Sequence, residues 1–147
     1  MMRINDVILR TVARFIVFII LTLAIYLFFA GHYSPGGGFI GGLVIASAFV
    51  LLYVTYDIEK VKAGIPIDFK VLAAIGVFLA VGTGFSSVLF GHDFLTQVAK
   101  DFHIPFLGEK ELGTVMIFEL GVALTVVGVV MTIIVSIAEG TEDEWKR

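Results

Sequence analysis

Four long apolar segments, separated by shorter polar stretches, constrain this chain more than any other feature of its sequence. A helix needs about 20 residues, at about 1.5 Å each, to cross a hydrocarbon core of about 30 Å. Each segment approaches or exceeds that length and holds at most one charged residue. The segments cover residues 11–30, 39–56, 71–90 and 112–138. The sequence therefore predicts an all-α integral membrane protein with four transmembrane helices, organised as a single membrane domain over residues 1–147.

The composition agrees with a lipid environment and excludes several soluble classes. Hydrophobic residues make up 59% of the chain and charged residues 16%, whereas soluble domains carry about 25% charged residues. The absence of cysteine from the sequence excludes a disulfide framework, cysteine-ligated zinc, iron–sulfur clusters and thiol catalysis. A formal net charge of −3 gives no basic surface for nucleic acid. We therefore expect the lipid bilayer, and no nucleic acid, as a partner.

The distribution of lysine and arginine predicts the orientation in the membrane, because basic loops stay in the cytoplasm. In a four-helix topology only Lys100 and Lys110 fall on one side, and the other eight basic residues fall on the opposite side. Those eight are Arg3, Arg10, Arg14, Lys60, Lys62, Lys70, Lys146 and Arg147. Both termini and the loop 57–70 are therefore predicted to be cytoplasmic. The acidic residues 139–144 are predicted to form a solvated tail that ends the fourth helix.

A glycine-rich segment between the first two predicted helices is the most unusual stretch in the chain. It includes Gly31, His32, Pro35, Gly36, Gly37, Gly38, Gly41 and Gly42. Its G-x-G-x-x-G spacing imitates a dinucleotide-binding fingerprint, but a membrane-length helix stands where that fingerprint requires a strand. We expect Gly31 to end the first helix in a left-handed conformation, and Pro35 with Gly36 to form a turn. An ion-lining role for backbone carbonyls freed in this segment is an alternative interpretation.

Small residues at a spacing of four form a packing face on two predicted helices. They are Gly38, Gly42 and Ala46 on the second helix and Gly76, Ala80 and Gly84 on the third. Such faces let the backbone of a neighbouring helix approach closely. Because lipid gives no hydrophobic drive to bury them, we expect the two stripes to dock neighbouring subunits.

Glu119 is the only charged residue deep inside a predicted span, about seven residues and roughly 10 Å from the outer end of the fourth helix. An ionised carboxylate in hydrocarbon is costly, so such groups usually face a bundle interior, a wet cavity or another subunit. Two interpretations stay open. Either the carboxylate lies on a proton or cation path, or a protonated or paired form only fixes helix packing.

Three histidines, His32, His92 and His103, map to the predicted outer side. Their spacing matches no short zinc motif, and hydrogen bonding at the interface is the simpler interpretation. The Ser-His-Asp and paired-carboxylate arrangements of hydrolytic enzymes cannot be placed in the sequence either. We therefore expect no metal, no cofactor and no enzymatic activity of the chain by itself.

The glycine-rich segment and three later stretches match the pattern of one protein family. These stretches are LFFAGHYSPGGGFIGGL (27–43), IPIDFK (65–70), AVGTG followed by FG (80–84, 90–91), and FELGV followed by VVG (118–122, 126–128). They resemble the B-type subunit of the multisubunit Mrp-type (Mnh-type) sodium/proton antiporters, and the resemblance extends from Asn5 to about Ala138. In that family an aspartate often stands where this chain has Glu119, so the carboxylate is kept but its reach differs.

The resemblance implies a small membrane subunit of a hetero-oligomeric complex in the prokaryotic cell membrane. That complex exchanges internal sodium ions for external protons, and its other membrane subunits would be the partners of this chain. Since the large subunits of the family carry the main proton relays, this chain is expected to support assembly, with Glu119 as the ion-path candidate. Two alternatives stay open: a related subunit of a membrane-bound hydrogenase or similar redox-driven ion pump, and a stand-alone exporter of the small multidrug type.

Overall fold

Five helices and one β-hairpin make up the parts of the chain that the structure, a computed structural model, describes: residues 4–31, 36–56, 58–89, 101–104, 108–111 and 114–145. In chain order they are α1 (Ile4–Ala30), α2 (Gly37–Thr55), α3 (Ile58–Gly64), α4 (Phe69–Leu89), β1 (Asp101–Ile104), β2 (Gly108–Glu111) and α5 (Thr114–Trp145). Helices α1, α2, α4 and α5 are long and apolar enough to cross a membrane. The predicted fold class with four transmembrane helices is confirmed.

The four long helices pack in the spatial order α1, α2, α5, α4, so the last helix in the chain lies between α2 and α4. Many of the buried side chains at these contacts are small, among them Ala24, Ala46 and Ala123. Most of the exposed side chains on these helices are large and apolar, and Phe78 on α4 is 78% exposed. This distribution suits a membrane, where close backbone packing joins helices and bulky apolar groups face outward.

A small apolar cluster joins α2, α4 and α5 at the end of the helices away from the glycine-rich segment. Phe69, Val127 and Met131 are its buried members. The ring of Phe69 makes edge contacts with Phe49, at 5.8 Å between centroids, and with Tyr53, at 6.4 Å. Because Phe69 is the first residue of α4, these contacts fix where α4 enters the bundle.

The acidic residues 139–144 do not form a tail that ends the last helix, and that prediction is wrong. Helix α5 continues through them to Trp145. Gly140 within it is unfavourable by about 1 kcal/mol relative to alanine, but Glu139 is held by an ion pair with Lys62. The Thr141 hydroxyl also donates to the Ile137 carbonyl at 3.0 Å.

Two short elements lie in loops for which the sequence predicted no structure. Helix α3 occupies part of the loop 57–70, where Val61 is buried while Glu59 and Lys60 are exposed. Strands β1 and β2 pair antiparallel, with Asp101 opposite Glu111. Both elements are too short to carry a long hydrophobic pattern, which is why the apolar periodicity of the sequence did not indicate them.

Candidate functional site around Glu119

Glu119 lies in the second turn of α5, five residues after Thr114, or about 7.5 Å along the helix axis. It belongs to the membrane-spanning part of that helix, Val115–Thr141. The residue is half-buried, and its Oε2 atom is buried without a hydrogen-bond partner among the described residues, although Glu119 takes part in another interaction. The structure thus holds a carboxylate within the apolar part of the protein.

Helix α2 meets α5 at the level of Glu119. A Cβ atom on Gly38 would lie 2.3 Å from the carbonyl oxygen of Glu119 and 3.0 Å from its Cα, so only glycine allows this approach. Four residues further, a Cβ on Gly42 would lie 2.9 Å from the carbonyl oxygen of Ala123. A step of four residues along α2, from Gly38 to Gly42, corresponds to a step of four residues along α5, from Glu119 to Ala123. Helices α2 and α5 therefore run parallel, with their backbones in contact.

The first turn of α2 gives this level of the bundle a positive electrostatic character. Gly36 precedes the helix with a φ of 111°, a left-handed conformation that favours glycine, and makes no side-chain cap. Its carbonyl accepts the amide of Ile40 at 3.0 Å, which starts the helix. The amides at a helix N-terminus favour negative charge nearby, and Gly38, which touches Glu119, is the second residue of α2.

Other glycines of the segment lie at the contact between α1 and α2 instead. A Cβ on Gly31 would lie 2.2 Å from the Cα of Gly37, and one on Gly41 would lie 3.2 Å from the Cβ of Phe28. Gly31 is not left-handed, so that prediction is wrong; it is required for close approach, and Gly36 is the left-handed residue. The start of α2 is therefore enclosed by α1 on one side and α5 on the other.

The remaining predicted residues of this region are not brought into the site by the described structure. His32, Pro35 and His92 lie outside the described residues, and only the backbone of His103 is described, in strand β1. Within the described part of the chain, no group of three or more histidine, cysteine, aspartate or glutamate side chains could hold a metal ion.

Helix α4 packs on the other side of α5 through a second set of close backbone contacts. A Cβ on Gly76 would lie 2.4 Å from the amide nitrogen of Thr125, and one on Gly121 would lie 2.7 Å from that of Ala80. Gly84 is buried. Gly38 and Gly42 of one stripe and Gly76 and Ala80 of the other therefore pack on α5 of the same chain, and the expectation that the stripes dock other subunits is wrong for these residues.

The sequence analysis did not identify the glycines of α5 against which helix α4 packs. Gly128, one heptad after Gly121, faces α4, and a Cβ there would lie 2.5 Å from the amide nitrogen of Ala73. The spacing of seven between Gly121 and Gly128 was the available signal, since it keeps both on one face of a helix.

An ion pair at the opposite end of α5 was also missed. Lys62 of α3 contacts Glu139 of α5, with both side chains about half exposed. The hydrogen bond to Glu139 raises the pKa of Lys62 above its usual range. A cavity of about 260 Å³ beside the pair is lined by Asp68, Lys70 and Ser136, among others. No sequence pattern pointed to this contact, because its partners lie 77 residues apart.

Comparisons with known proteins agree on one family. Residues 8–132 match the profile of a family described as a domain related to the MnhB subunit of Na+/H+ antiporter. The chain is 50% identical over 135 residues to the B-type subunit of the Na(+)/H(+) antiporter of Alkalihalophilus pseudofirmus, covering 92% of this chain and 94% of that relative. It is 48% identical over 139 residues to the putative antiporter subunit mnhB2 of Staphylococcus haemolyticus, covering 95% and 99% of the two chains.

A solved structure shares the fold as well. One chain of the Mrp complex from Dietzia sp. DQ12-45-1b superposes with a TM-score of 0.71 at 34% sequence identity. The superposition covers 86% of this chain but 13% of that chain. The corresponding region in Dietzia is thus a small part of a much longer polypeptide.

Proposed function

Since this chain belongs to the MnhB family of Na+/H+ antiporter subunits, we propose that it is the MnhB-type member of a multisubunit antiporter that exchanges internal sodium ions for external protons. The observation that carries the proposal is the 50% identity over almost the full length of the Alkalihalophilus antiporter subunit. Four apolar spans make the chain a multi-pass protein of the bacterial cell membrane.

The chain acts as one part of a larger assembly and not as an enzyme. In Dietzia the matched region belongs to a much longer polypeptide of an Mrp complex, which supports a position beside further membrane segments. Both curated relatives described above are named as antiporter subunits, which favours the antiporter over the redox-driven pump. The stand-alone multidrug-type exporter is disfavoured because Glu119 lies in the last transmembrane helix.

Glu119 is the ion-path candidate of this subunit. Three observations support the role: its position inside a membrane-spanning helix, the burial of its Oε2 atom, and the contact of its backbone with the first turn of α2. Ionisable groups at such depth are rare and usually functional. The neighbouring helix N-terminus would stabilise the carboxylate when a proton leaves it, and a sodium ion would take oxygen ligands from such a group.

The experiment that tests the subunit assignment uses an antiporter-deficient host that expresses the complete set of subunit genes, with or without this one. Addition of Na+ to everted vesicles that hold a pH gradient should dissipate the gradient only when this chain is present. Expression of the chain from a second plasmid should restore the response. Sodium/proton exchange by the purified chain alone in liposomes would contradict the proposal, as would full exchange without the chain.

The predicted orientation is tested separately. The sequence contains no cysteine, so Ser34→Cys and Lys62→Cys each introduce a single reactive thiol. An impermeant thiol reagent added to whole cells should label the first variant only, and labelling of the second should require broken cells. Labelling of both from outside would exclude a cytoplasmic loop 57–70.

A further inference from the structure

The backbone conformation of Gly36 determines how α2 begins. Among the glycines that the structure describes, Gly36 alone has a positive φ, at 111°. Its carbonyl oxygen accepts the amide hydrogen of Ile40 at 3.0 Å, which starts the helical hydrogen bonding of α2. Helices usually begin with a serine, threonine, aspartate or asparagine whose side chain caps the first turn. The chain forgoes that stabilising cap here and keeps a left-handed residue instead.

Glycine is required at this position by the backbone conformation and not by packing. A Cβ atom on Gly36 would meet nothing within 4 Å. The close contacts belong to the next two residues: a Cβ on Gly37 would lie 2.8 Å from the Cα of Gly31, and one on Gly38 would lie 2.3 Å from the carbonyl oxygen of Glu119. Residues with a side chain rarely adopt a positive φ, and asparagine does so several times more often than most others. Alanine at position 36 would therefore strain the backbone without creating a steric clash.

A shift of this turn would change the surroundings of Glu119. The contact between α2 and α5 at this level is backbone against backbone, so no flexible side chain lies between the helices to absorb a displacement that begins at Gly36. Within the described parts of α2 and α4, which pack on α5, the titratable side chains are Tyr53 and Lys70, both at the opposite end of the bundle. The next acidic residue of α5 is Glu139. The amides that begin α2 are therefore a source of positive potential whose distance from Glu119 depends on this turn.

We propose that Gly36 is a positioning residue for ion exchange, because its left-handed backbone holds the first turn of α2 in place against Glu119. The inference rests on the proposed ion-path role of Glu119. Gly36 binds no ion itself and acts through the contact of Gly38 with the backbone of Glu119.

The test uses the complete complex in everted vesicles, with exchange normalised to the amount of this chain. Gly36→Ala should assemble at normal levels, because its methyl group has open space. It should move the pH of half-maximal exchange by about 0.5 pH unit, the usual influence of a helix N-terminus on a nearby charge. Gly36→Asn should stay closer to the unchanged protein, since asparagine adopts the left-handed conformation more readily. The matched control is Gly64→Ala, which adds a methyl group in open space at an ordinary φ and should leave the midpoint unchanged.

Three results would overturn the proposal. The first is an unchanged midpoint in Gly36→Ala at normal levels. The second is an equal shift in Gly36→Ala and Gly36→Asn, because the left-handed conformation would then not be the cause. The third is a failure of Gly36→Ala to accumulate, because a requirement for folding would then explain the glycine.

Glu119→Gln, measured in the same vesicles, separates this inference from the proposed function. If Glu119→Gln loses exchange while Gly36→Ala keeps the unchanged pH profile, only the positioning role of Gly36 is wrong. If Glu119→Gln keeps normal exchange at every pH, the ion-path role of Glu119 is wrong, and the positioning role of Gly36 is wrong with it.

Discussion

The two crossings on α5 use the same small-residue packing but differ in what lies at the contact. At the α4 crossing glycines on both helices allow close approach, with Gly76 on α4 and Gly121 and Gly128 on α5. At the α2 crossing the glycines belong to α2 only, and the residue of α5 opposite Gly38 is Glu119. Both crossings join helices, yet only one of them positions a carboxylate within the membrane.

This difference indicates that close packing serves two purposes in one chain. At the α4 crossing the reciprocal glycines and the Thr125 hydroxyl, which donates to the Gly121 carbonyl at 2.8 Å, need no further role than packing. At the α2 crossing the same closeness fixes Glu119 beside the first turn of α2. Stability should therefore respond to changes at both crossings, whereas ion exchange should respond most at one.

The largest effect should come from blocking either crossing. Gly38→Val and Gly76→Val each place side-chain atoms against backbone that has no room to yield, so we expect destabilisation above about 3 kcal/mol. Quantitative immunoblots of membranes should show little of the chain or of its partner subunits. Gly82→Val is the matched control, because a Cβ at Gly82 meets nothing within 4 Å. Normal levels of either blocked variant would contradict the close approach.

The next largest effect should come from removing the charge of Glu119, which is present at the α2 crossing and has no counterpart among the contact residues named at the α4 crossing. Glu119→Gln keeps the shape and hydrogen bonding of the side chain but cannot ionise, whereas Glu119→Asp keeps the ionisation with a shorter reach. We expect the glutamine variant to assemble at normal levels and to lose most sodium/proton exchange, and the aspartate variant to stay largely active. Vesicle assays across a range of pH measure both. Unchanged exchange in the glutamine variant at every pH would reduce Glu119 to a packing residue.

A smaller effect is expected from adding one methyl group at each crossing. Gly42→Ala and Gly121→Ala would meet backbone atoms at 2.9 Å and 2.7 Å, so each should lower stability by about 1–3 kcal/mol. Because Gly42 lies one turn from the contact with Glu119, only its variant should also shift the pH profile of exchange. Thermal midpoints of the purified complex and vesicle assays test the pair. Equal pH shifts in both variants would remove the distinction between the crossings.

The smallest effect concerns the ion pair between Lys62 and Glu139, which lies at neither crossing. The pKa of Lys62 is raised above its ordinary value of 10.5 in the folded protein, mainly by its hydrogen bond with Glu139. The contribution of the ion pair to the free energy of unfolding is therefore complete below about pH 10, and it is lost as the pH rises through the raised pKa of Lys62. With both side chains half exposed, it stays under about 1 kcal/mol.

Lys62→Met should accordingly lower the thermal midpoint slightly at pH 8 and leave exchange unchanged. The difference from the unchanged protein should disappear once the pH exceeds the raised pKa of Lys62. A difference that grew with rising pH would show that the pair has another role. Glu139→Gln is the reciprocal variant and should follow the same pH course.

The sequence predicted the four spans because apolar length is a local property. It also marked Gly38 and Gly76 for close approach, since small residues four apart define one face of a helix. Which helix packs on that face depends on residues far away in the sequence. For that reason the stripes were assigned to other subunits, although their residues pack on α5 of the same chain. The position of Glu119 in the chain was evident, but its place beside the first turn of α2 depends on a helix about 80 residues earlier in the sequence.

Short and terminal elements were the other source of error. The acidic end of α5 was assigned to a solvated tail, and acidic residues and Gly140 are indeed unfavourable near a helix C-terminus. The contact of Lys62 with Glu139 offsets part of that preference, and no pattern within the segment reveals it. Gly31 was assigned a left-handed conformation from its place at a helix end, while Gly36 holds that conformation.

Helix α5 is an uninterrupted rod of 32 residues, and the two acidic residues at its contacts with α2 and α3, Glu119 and Glu139, lie near opposite ends. Glu139 follows Glu119 by 20 positions in the same helix, a distance of about 30 Å, which equals the thickness of the hydrocarbon core. A stiff rod that pivots cannot move at one end alone. If Glu119 exchanges a proton or cation, as proposed above, a resulting change in the tilt of α5 would therefore displace the surface formed with α3 on the far side of the membrane.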